Sequence, residues 1–173
     1  MKKYIIIALS LICLLSACGK KKKFEQIDGV DFFDLYNNPE GSLGTANSYR
    51  TDSELALHFF PVPTTTMSPK LILENKSDIS KSYQVKIVNA QFKNAPAFIP
   101  EVPIHYVIGQ KLNIENLGGK PDEVLLTMNL SVDAGSYRST YIDINNYKQG
   151  FYRIIVEVDG ERKYWNDFWI IKQ

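Results

Sequence analysis

The sequence predicts an all-β fold, a sandwich of about seven to eight antiparallel strands, on three observations. Ten tyrosines and nine phenylalanines among 173 residues favour strands, in which aromatic side chains are enriched. From Glu54 onward, short apolar runs alternate with turn sequences at the spacings of a sandwich or barrel. Beyond residue 50, no stretch of the sequence sustains the period of an amphipathic helix.

The first eighteen residues have the organisation of a secretory signal. Lys2 and Lys3 provide a positive start, and residues 4–17 form a mostly apolar run. The run is shorter than the roughly 20 residues of a comfortable membrane span, but it suits the apolar region of a signal peptide. It ends in Leu-Ser-Ala-Cys at 15–18, which resembles the lipobox of bacterial lipoproteins. The alternative is an uncleaved membrane helix, which would be short and directly followed by four lysines.

The lipobox resemblance implies that cleavage after Ala17 removes residues 1–17 as a lipoprotein signal peptide. It also implies that the Cys18 thiol receives a diacylglycerol, whose chains anchor the protein because each buried methylene contributes about 0.8 kcal/mol. In Gram-negative lipoproteins, a residue other than aspartate after the cysteine implies passage to the outer membrane, and Gly19 stands there. We therefore expect a cell-envelope lipoprotein, anchored in the outer membrane with its domain in the periplasm.

Charge and cysteine content limit the kinds of partner and metal site that the mature chain can have. Six of the 20 basic residues lie at 2–3 and 20–23, so residues 24–173 carry 14 basic against 19 acidic residues, a net charge of −5. This balance argues against a nucleic-acid partner. The four lysines at 20–23 are either a solvated spacer, which we favour, or a contact for anionic head groups. With Cys13 removed and Cys18 lipidated, no thiol remains for a disulfide or a metal site.

Residues 18–52 are predicted to be the lipidated cysteine and a tether that could contain a short helix. Three apolar residues lie at the spacing of one helix face, namely Phe32, Leu35 and Tyr36. Asparagines and a proline at 37–39 would end that helix. Three aspartates also recur at every third residue, namely Asp28, Asp31 and Asp34. They form either a cation site or, as we favour, a solvated face with an N-cap.

The β-sandwich domain is predicted to span residues 53–173. Its strand candidates lie at 54–60, 70–75, 82–92, 104–117, 123–132, 137–144, 151–158 and beyond the turn at 159–160. The strand at 151–158 opens with Gly150-Phe151-Tyr152, which resembles the Gly-x-Tyr of a late strand in immunoglobulin-like sandwiches. There the tyrosine hydroxyl bonds back across the corner, a role that the resemblance implies for Tyr152. The implied fold is an immunoglobulin-like or transthyretin-like β-sandwich.

The last hairpin gives the clearest local prediction. Asp159-Gly160 predicts a two-residue type I′ turn, which sets Glu157 opposite Arg162 as a favourable cross-strand pair. Strict alternation would then separate the apolar residues at the end of the chain from those of the preceding strand. We therefore predict a β-bulge at Asn166-Asp167, which would restore one apolar face.

No pattern in the sequence predicts catalysis, a metal or a cofactor. The two histidines, His58 and His105, fall in predicted strands and outside any ligand spacing. The sequence contains no nucleophile elbow, phosphate-binding glycine loop or dinucleotide fingerprint. We therefore expect a protein that is not an enzyme.

Loops at the ends of a rigid sandwich are natural binding sites. The proline-rich loop from residue 94 leads through Phe98 and Ile99 to Tyr106, and the corner at 145–147 carries Tyr147. These four residues are candidates for contacts with a protein partner. The alternative for Phe98 and Ile99 is that they close the end of the core.

Two functions fit these features. The first is a lipid-anchored module that binds a protein. Its Tyr-rich strands ending in GFYRIIVEV resemble the layout of small envelope immunity lipoproteins, which neutralise toxins delivered by type VI secretion. The second is a structural component of an envelope or secretion machine, because DFFDLYNNPEGSLG resembles a segment of the lipoprotein of the type VI membrane complex. An enzyme or small-ligand carrier has no motif to support it.

Overall fold

The computed structural model describes residues 25–65, 67–93, 120 and 123–172, and it confirms the all-β prediction. The described ranges hold ten strands and no helix, and therefore no helix that could cross a membrane. The strands are β1 (Glu25–Ile27), β2 (Gly29–Phe33), β3 (Pro39–Gly44), β4 (Leu55–Phe60), β5 (Lys70–Asn75), β6 (Lys81–Phe92), β7 (Val124–Val132), β8 (Tyr137–Tyr141), β9 (Gly150–Val158) and β10 (Glu161–Ile170).

These strands form three sheets. In the largest, β6 pairs with β9 on one side, and β10 pairs with β9. On the other side, β6 pairs with β7 along its first part and with β1 at its end. The second sheet has the order β4-β5-β8, and the third is the β2-β3 hairpin. The β1–β6 pair, which the N-terminal segment forms, is parallel, whereas all described strand pairs within the predicted domain are antiparallel, as expected.

The core lies between the large sheet and the three-stranded sheet. Alternate residues of β4 and β5 are buried, as expected for strands with one face on a core. Phe59 of β4 meets Phe168 of β10 with ring centroids 4.7 Å apart, and Phe168 also stacks on Tyr152 of β9. The two sheets therefore pack face to face, as in a β-sandwich.

The β9–β10 hairpin confirms the predicted turn and register. Asp159 and Gly160 have φ values of 53° and 80°, as a type I′ turn requires, and Arg162 lies opposite Glu157. The two charged groups nevertheless bind other partners: Glu157 accepts a hydrogen bond from Lys86 at 2.6 Å, and Arg162 pairs with Glu25.

The predicted bulge at Asn166-Asp167 is wrong. The β9–β10 register is regular there and shifts instead between Arg162 and Tyr164. The prediction assumed a single apolar face, whereas both faces of this hairpin are buried. One face carries Phe168 into the core between the sheets, and the other stacks Trp169 on Phe151. A hairpin covered on both sides needs no bulge to sort its apolar residues.

The N-terminal segment helps to cover the second face of the hairpin, which corrects the prediction of a tether over residues 18–52. Ile27, Val30 and Phe32 have no exposed surface, so the folded domain includes the chain from at least Glu25, not only from residue 53. The predicted short helix is also wrong, because Phe32 lies in strand β2, whereas Leu35 and Tyr36 lie in an exposed turn. Asparagine and aspartate side chains stabilise that turn and outweigh the helical spacing.

The three spaced aspartates make no cation site. Asp31 pairs with Arg50 at 3.7 Å, and Asp34 accepts hydrogen bonds within its own turn. The described residues contain no cluster of three or more histidine, cysteine or acidic side chains that could hold a metal ion.

A charge network joins the N-terminal segment to the hairpin. Buried Arg153 donates two hydrogen bonds to fully buried Asp167, at 2.6 and 2.9 Å, and a third to Glu25 at 3.1 Å. Arg162 donates hydrogen bonds to both oxygens of the Glu25 carboxylate, one of which also accepts the bond from Arg153. Burial alone would raise the pKa of Glu25, but its hydrogen bonds with Arg162 and Arg153 and their charges hold that pKa below its usual value.

Candidate functional site

The predicted site residues fall into two groups. Cys18, Phe98, Ile99 and Tyr106 lie outside the described residues, as does His105, so their roles stay predictions. Tyr147 is described, and its half-buried ring packs against Tyr152 with centroids 5.6 Å apart. Burial raises the pKa of Tyr147 to about 12, with a smaller contribution from Asp143. Its packing is that of a residue at the rim of the core, and its contact with a partner stays a prediction.

The predicted role of Tyr152 is confirmed. Its hydroxyl donates a hydrogen bond of 2.5 Å to the carbonyl oxygen of Lys148, four residues upstream at the corner before β9. Burial and the neighbouring Tyr147 raise the pKa of Tyr152 well above its usual value. This bond fixes the corner at which the chain enters the central strand.

A different surface stands out among the described residues. Of the eight large apolar or aromatic side chains that are exposed, five lie together on one side of the domain, namely Leu35, Tyr36, Met67, Tyr137 and Tyr141. Tyr36, Tyr137 and Tyr141 are exposed by 83, 67 and 68%. Clustered exposed aromatic side chains mark an interaction surface more strongly than scattered ones.

The outward side of the three-stranded sheet forms this surface. Antiparallel pairing aligns one residue from each of β8, β5 and β4 in rows, which are Tyr141–Lys70–Phe60, Ser139–Ile72–His58 and Tyr137–Glu74–Ala56. We call these rows, with Leu35, Tyr36 and Met67, the tyrosine face. A period of two places both exposed tyrosines of β8 on this face, with Ser139 between them.

The turn between β2 and β3 holds Tyr36 over the sheet. One carboxylate oxygen of Asp34 accepts hydrogen bonds of 2.8 Å from the backbone N–H groups of Tyr36 and Asn38. Asn37 adopts a positive φ of 66°, which asparagine tolerates better than most residues. Bonds from the Asn38 side chain and backbone lower the pKa of Asp34, so the carboxylate keeps this role at neutral pH.

His58 connects this turn to the sheet. The side-chain amide of Asn37 donates to Nδ1 of His58 at 3.1 Å, and Nε2 of His58 lies 3.9 Å from Glu74. Burial lowers the pKa of His58, although the charge of Glu74 opposes the shift. A neutral ring fits this geometry, because Nδ1 must keep its lone pair to accept the bond from Asn37.

Two grooves cross the tyrosine face on either side of Tyr36. The larger has a volume of about 450 Å³ and runs over Ile72 and His58 to Tyr137. The smaller, of about 280 Å³, lies between Met67 and Tyr141. Both are open and contain aromatic rings beside a few polar groups, the composition of a protein contact.

One signal for this site is visible in the sequence. Tyr137, Ser139 and Tyr141 alternate with Arg138 and Thr140, so any strand over them must place both tyrosines on one side. Which side faces solvent depends on pairing with β5, about 65 residues earlier in the chain. No protein-family model and no curated protein matches this sequence.

Proposed function

We propose that this chain is a bacterial envelope lipoprotein, anchored through Cys18, whose domain binds a protein partner through the tyrosine face. The observation that carries the proposal is the grouping of five exposed apolar or aromatic side chains on the tyrosine face. Tyrosine suits such a role, because it offers a large rigid contact area with a polar end. The lipobox supports the anchor and the outer-membrane location.

The chemistry of the tyrosine face supports binding rather than catalysis. Its titratable side chains in the larger groove are His58, Glu74, Lys70 and two tyrosines. Among these, His58 is held neutral by burial and engaged at Nδ1 by Asn37, so it structures the site. No described serine or threonine in this groove hydrogen-bonds to His58, so His58 is not placed as the base of a described hydroxyl nucleophile there.

The finer fold assignment is part of the same proposal. An immunoglobulin-like or transthyretin-like sandwich is supported by the two packed sheets and by the tyrosine corner at Tyr152. Such a sandwich is a rigid support that can present one sheet face to a partner.

Site-specific photo-crosslinking in living bacteria tests the binding proposal. A photo-reactive amino acid replaces Tyr141 in the full-length protein, and the same amino acid replaces Ile79 in a matched control. Ile79 is 60% exposed but lies outside the tyrosine face. We expect a discrete crosslinked protein from position 141 and none from position 79. Equal products from both positions, or none from position 141 and from a second variant at Tyr137, would refute it.

The anchor has its own test. Cells that produce the full-length protein are labelled with a clickable palmitate analogue, and the protein is isolated. We expect labelling of the native chain and its loss in Cys18→Ser, because an oxygen at this position cannot form the thioether. Label incorporation unchanged by the substitution would refute the anchor.

A further inference from the structure

One edge of the tyrosine face consists of open backbone. In the β5–β8 pair, the Asn75 N–H donates to the Ser136 carbonyl oxygen and the Ile142 N–H to the Pro69 carbonyl oxygen. Antiparallel pairing alternates, so Arg138 and Thr140, which lie between these two bonds, direct their backbone groups at β5. The N–H and C=O groups of Tyr137, Ser139 and Tyr141 therefore point away from β5. No other described strand pairs with β8 on that side.

The outer edges of β4 and β10 are partly covered. The backbone of Arg50 and Asp52 hydrogen-bonds to β4, and residues Tyr49 and Thr64 bridge to β10. By contrast, β8 has no lysine, proline or bulge; its only features of a protected edge are its length of five residues and the charged side chain of Arg138. The outer edge of β7 is also open among the described strands, but its exposed side chains include polar Thr127, Asn129 and Ser131.

We propose that β8 receives an extended segment of the partner as an added antiparallel strand. This inference rests on the proposed binding function and specifies how the partner docks. An extended segment would pair with the N–H and C=O groups of Tyr137, Ser139 and Tyr141 and extend the sheet to four strands. Backbone bonds supply affinity in this mode, and alternate side chains supply specificity. Antiparallel pairing continues the direction already present in this sheet.

The side chains of β8 define what the partner segment carries. Tyr137 and Tyr141 are four residues apart, about 13 Å along a strand, and small Ser139 leaves a gap between their rings. A large apolar side chain opposite Ser139 fills that gap. On the other side of the strand, Arg138 is exposed and makes no ion pair among the described residues. A carboxylate opposite Arg138 completes a favourable cross-strand pair. The occupant is therefore an extended segment with adjacent large apolar and acidic residues.

A synthetic peptide tests this inference without knowledge of the natural partner. Acetyl-TVTLEVT-amide places leucine opposite Ser139 and glutamate opposite Arg138 when it pairs antiparallel with β8. The control peptide TVTELVT exchanges these two residues. Full-length protein, purified from membranes in detergent, is incubated with each peptide at millimolar concentration, and amide hydrogen exchange is followed. We expect TVTLEVT to slow exchange at Tyr137, Ser139 and Tyr141 and to bind more tightly than TVTELVT.

A proline at position 139 separates strand addition from other modes of binding. The Ser139 N–H points away from β5, so Ser139→Pro removes it without breaking the existing ladder. Ser139→Ala keeps the N–H and is the matched control. We expect peptide affinity to fall about tenfold in Ser139→Pro and to stay unchanged in Ser139→Ala. Equal binding by both variants, or no slowed exchange in β8, would overturn the inference.

Reversal of the charge at position 138 is a second test of strand addition, and it does not depend on proline. We expect Arg138→Glu to weaken TVTLEVT by about two- to fivefold and to improve binding of TVTLKVT by a similar factor. An unchanged order of affinities would contradict the register. In cells, a crosslink from position 141 that persists in the Ser139→Pro variant would support the proposed binding function and refute strand addition. If the peptide slows exchange in β8 but no crosslink forms in cells, strand addition at β8 is retained and the proposed binding function is refuted.

Discussion

The charge network around Arg153 gives the sharpest prediction about stability. Arg153→Met removes a guanidinium that is 5% exposed and leaves Asp167, which is fully buried, without its two hydrogen bonds. Both carboxylate oxygens of Asp167 receive their bonds from this one side chain. Glu25 loses one of its two arginine partners at the same time.

The size of the effect follows from the burial of the stranded carboxylate. Removing one member of a buried ion pair costs about 3–5 kcal/mol of unfolding free energy, which lowers the melting temperature by roughly 10 °C. The control is Arg162→Met, which also removes an arginine from Glu25 but at an exposed position. Exposed pairs contribute about 1 kcal/mol or less, so the control should change little.

Urea denaturation of the purified protein measures both variants and the double variant Arg153→Met/Asp167→Leu. Replacing both charges with apolar side chains should recover most of the loss, because no charge is then left buried. Burial raises the pKa of Asp167, and the hydrogen bonds and charge of Arg153 oppose that shift, so removing Arg153 should raise this pKa further. The buried carboxyl of Arg153→Met should then bind a proton more readily than the same group in the unfolded chain, so the stability penalty should shrink as the pH falls. A cost below about 1 kcal/mol, or a double variant no more stable than Arg153→Met, would refute this account.

Three further predictions concern single side chains. The side-chain nitrogen and oxygen of buried Asn166 both lack a hydrogen-bond partner among the described residues. Asn166→Leu should therefore raise the free energy of unfolding by about 1–3 kcal/mol. A lower free energy of unfolding in urea denaturation would contradict this. Tyr152→Phe removes the bond to the Lys148 carbonyl and should cost about 1 kcal/mol, whereas Tyr36→Phe, at an exposed ring, should cost nothing measurable. The lowered pKa of His58 means that the unfolded chain takes up its proton first, so stability should fall as the pH drops through the ordinary histidine range. His58→Gln should lose less stability than the native chain over that range, and parallel losses in thermal melts would rule out this role.

Local sequence signals predicted part of the fold correctly. The Asp159-Gly160 turn and the bond from Tyr152 each depend on residues within about four positions, so a short stretch contains the information. The N-terminal strands were missed because they are stabilised by distant partners: β1 pairs with the end of β6, and Glu25 binds Arg153. Helical spacing in that segment was a local signal that tertiary contacts overrode.

The candidate site was predicted on loops, and the structure places the exposed aromatic cluster on a sheet face. The alternation of Tyr137 and Tyr141 around Ser139 is visible in the sequence, but alternation alone does not say which side is buried. That side is set by the pairing of β8 with β5, whose Leu71 and Leu73 face the core.

The sequence by itself determined the strand-rich composition, the turn chemistry and the lipobox pattern that predicts the anchor, because each depends on neighbouring residues. Only the tertiary structure decided that the β9–β10 hairpin is buried on both faces. It also decided that residues from Glu25 belong to the domain and that two tyrosines lie on β8, whose outer edge pairs with no other described strand. The physical reason is that burial and strand pairing are properties of contacts between segments far apart in the chain. A strand shows its two faces in its sequence, and its neighbours determine which one meets water.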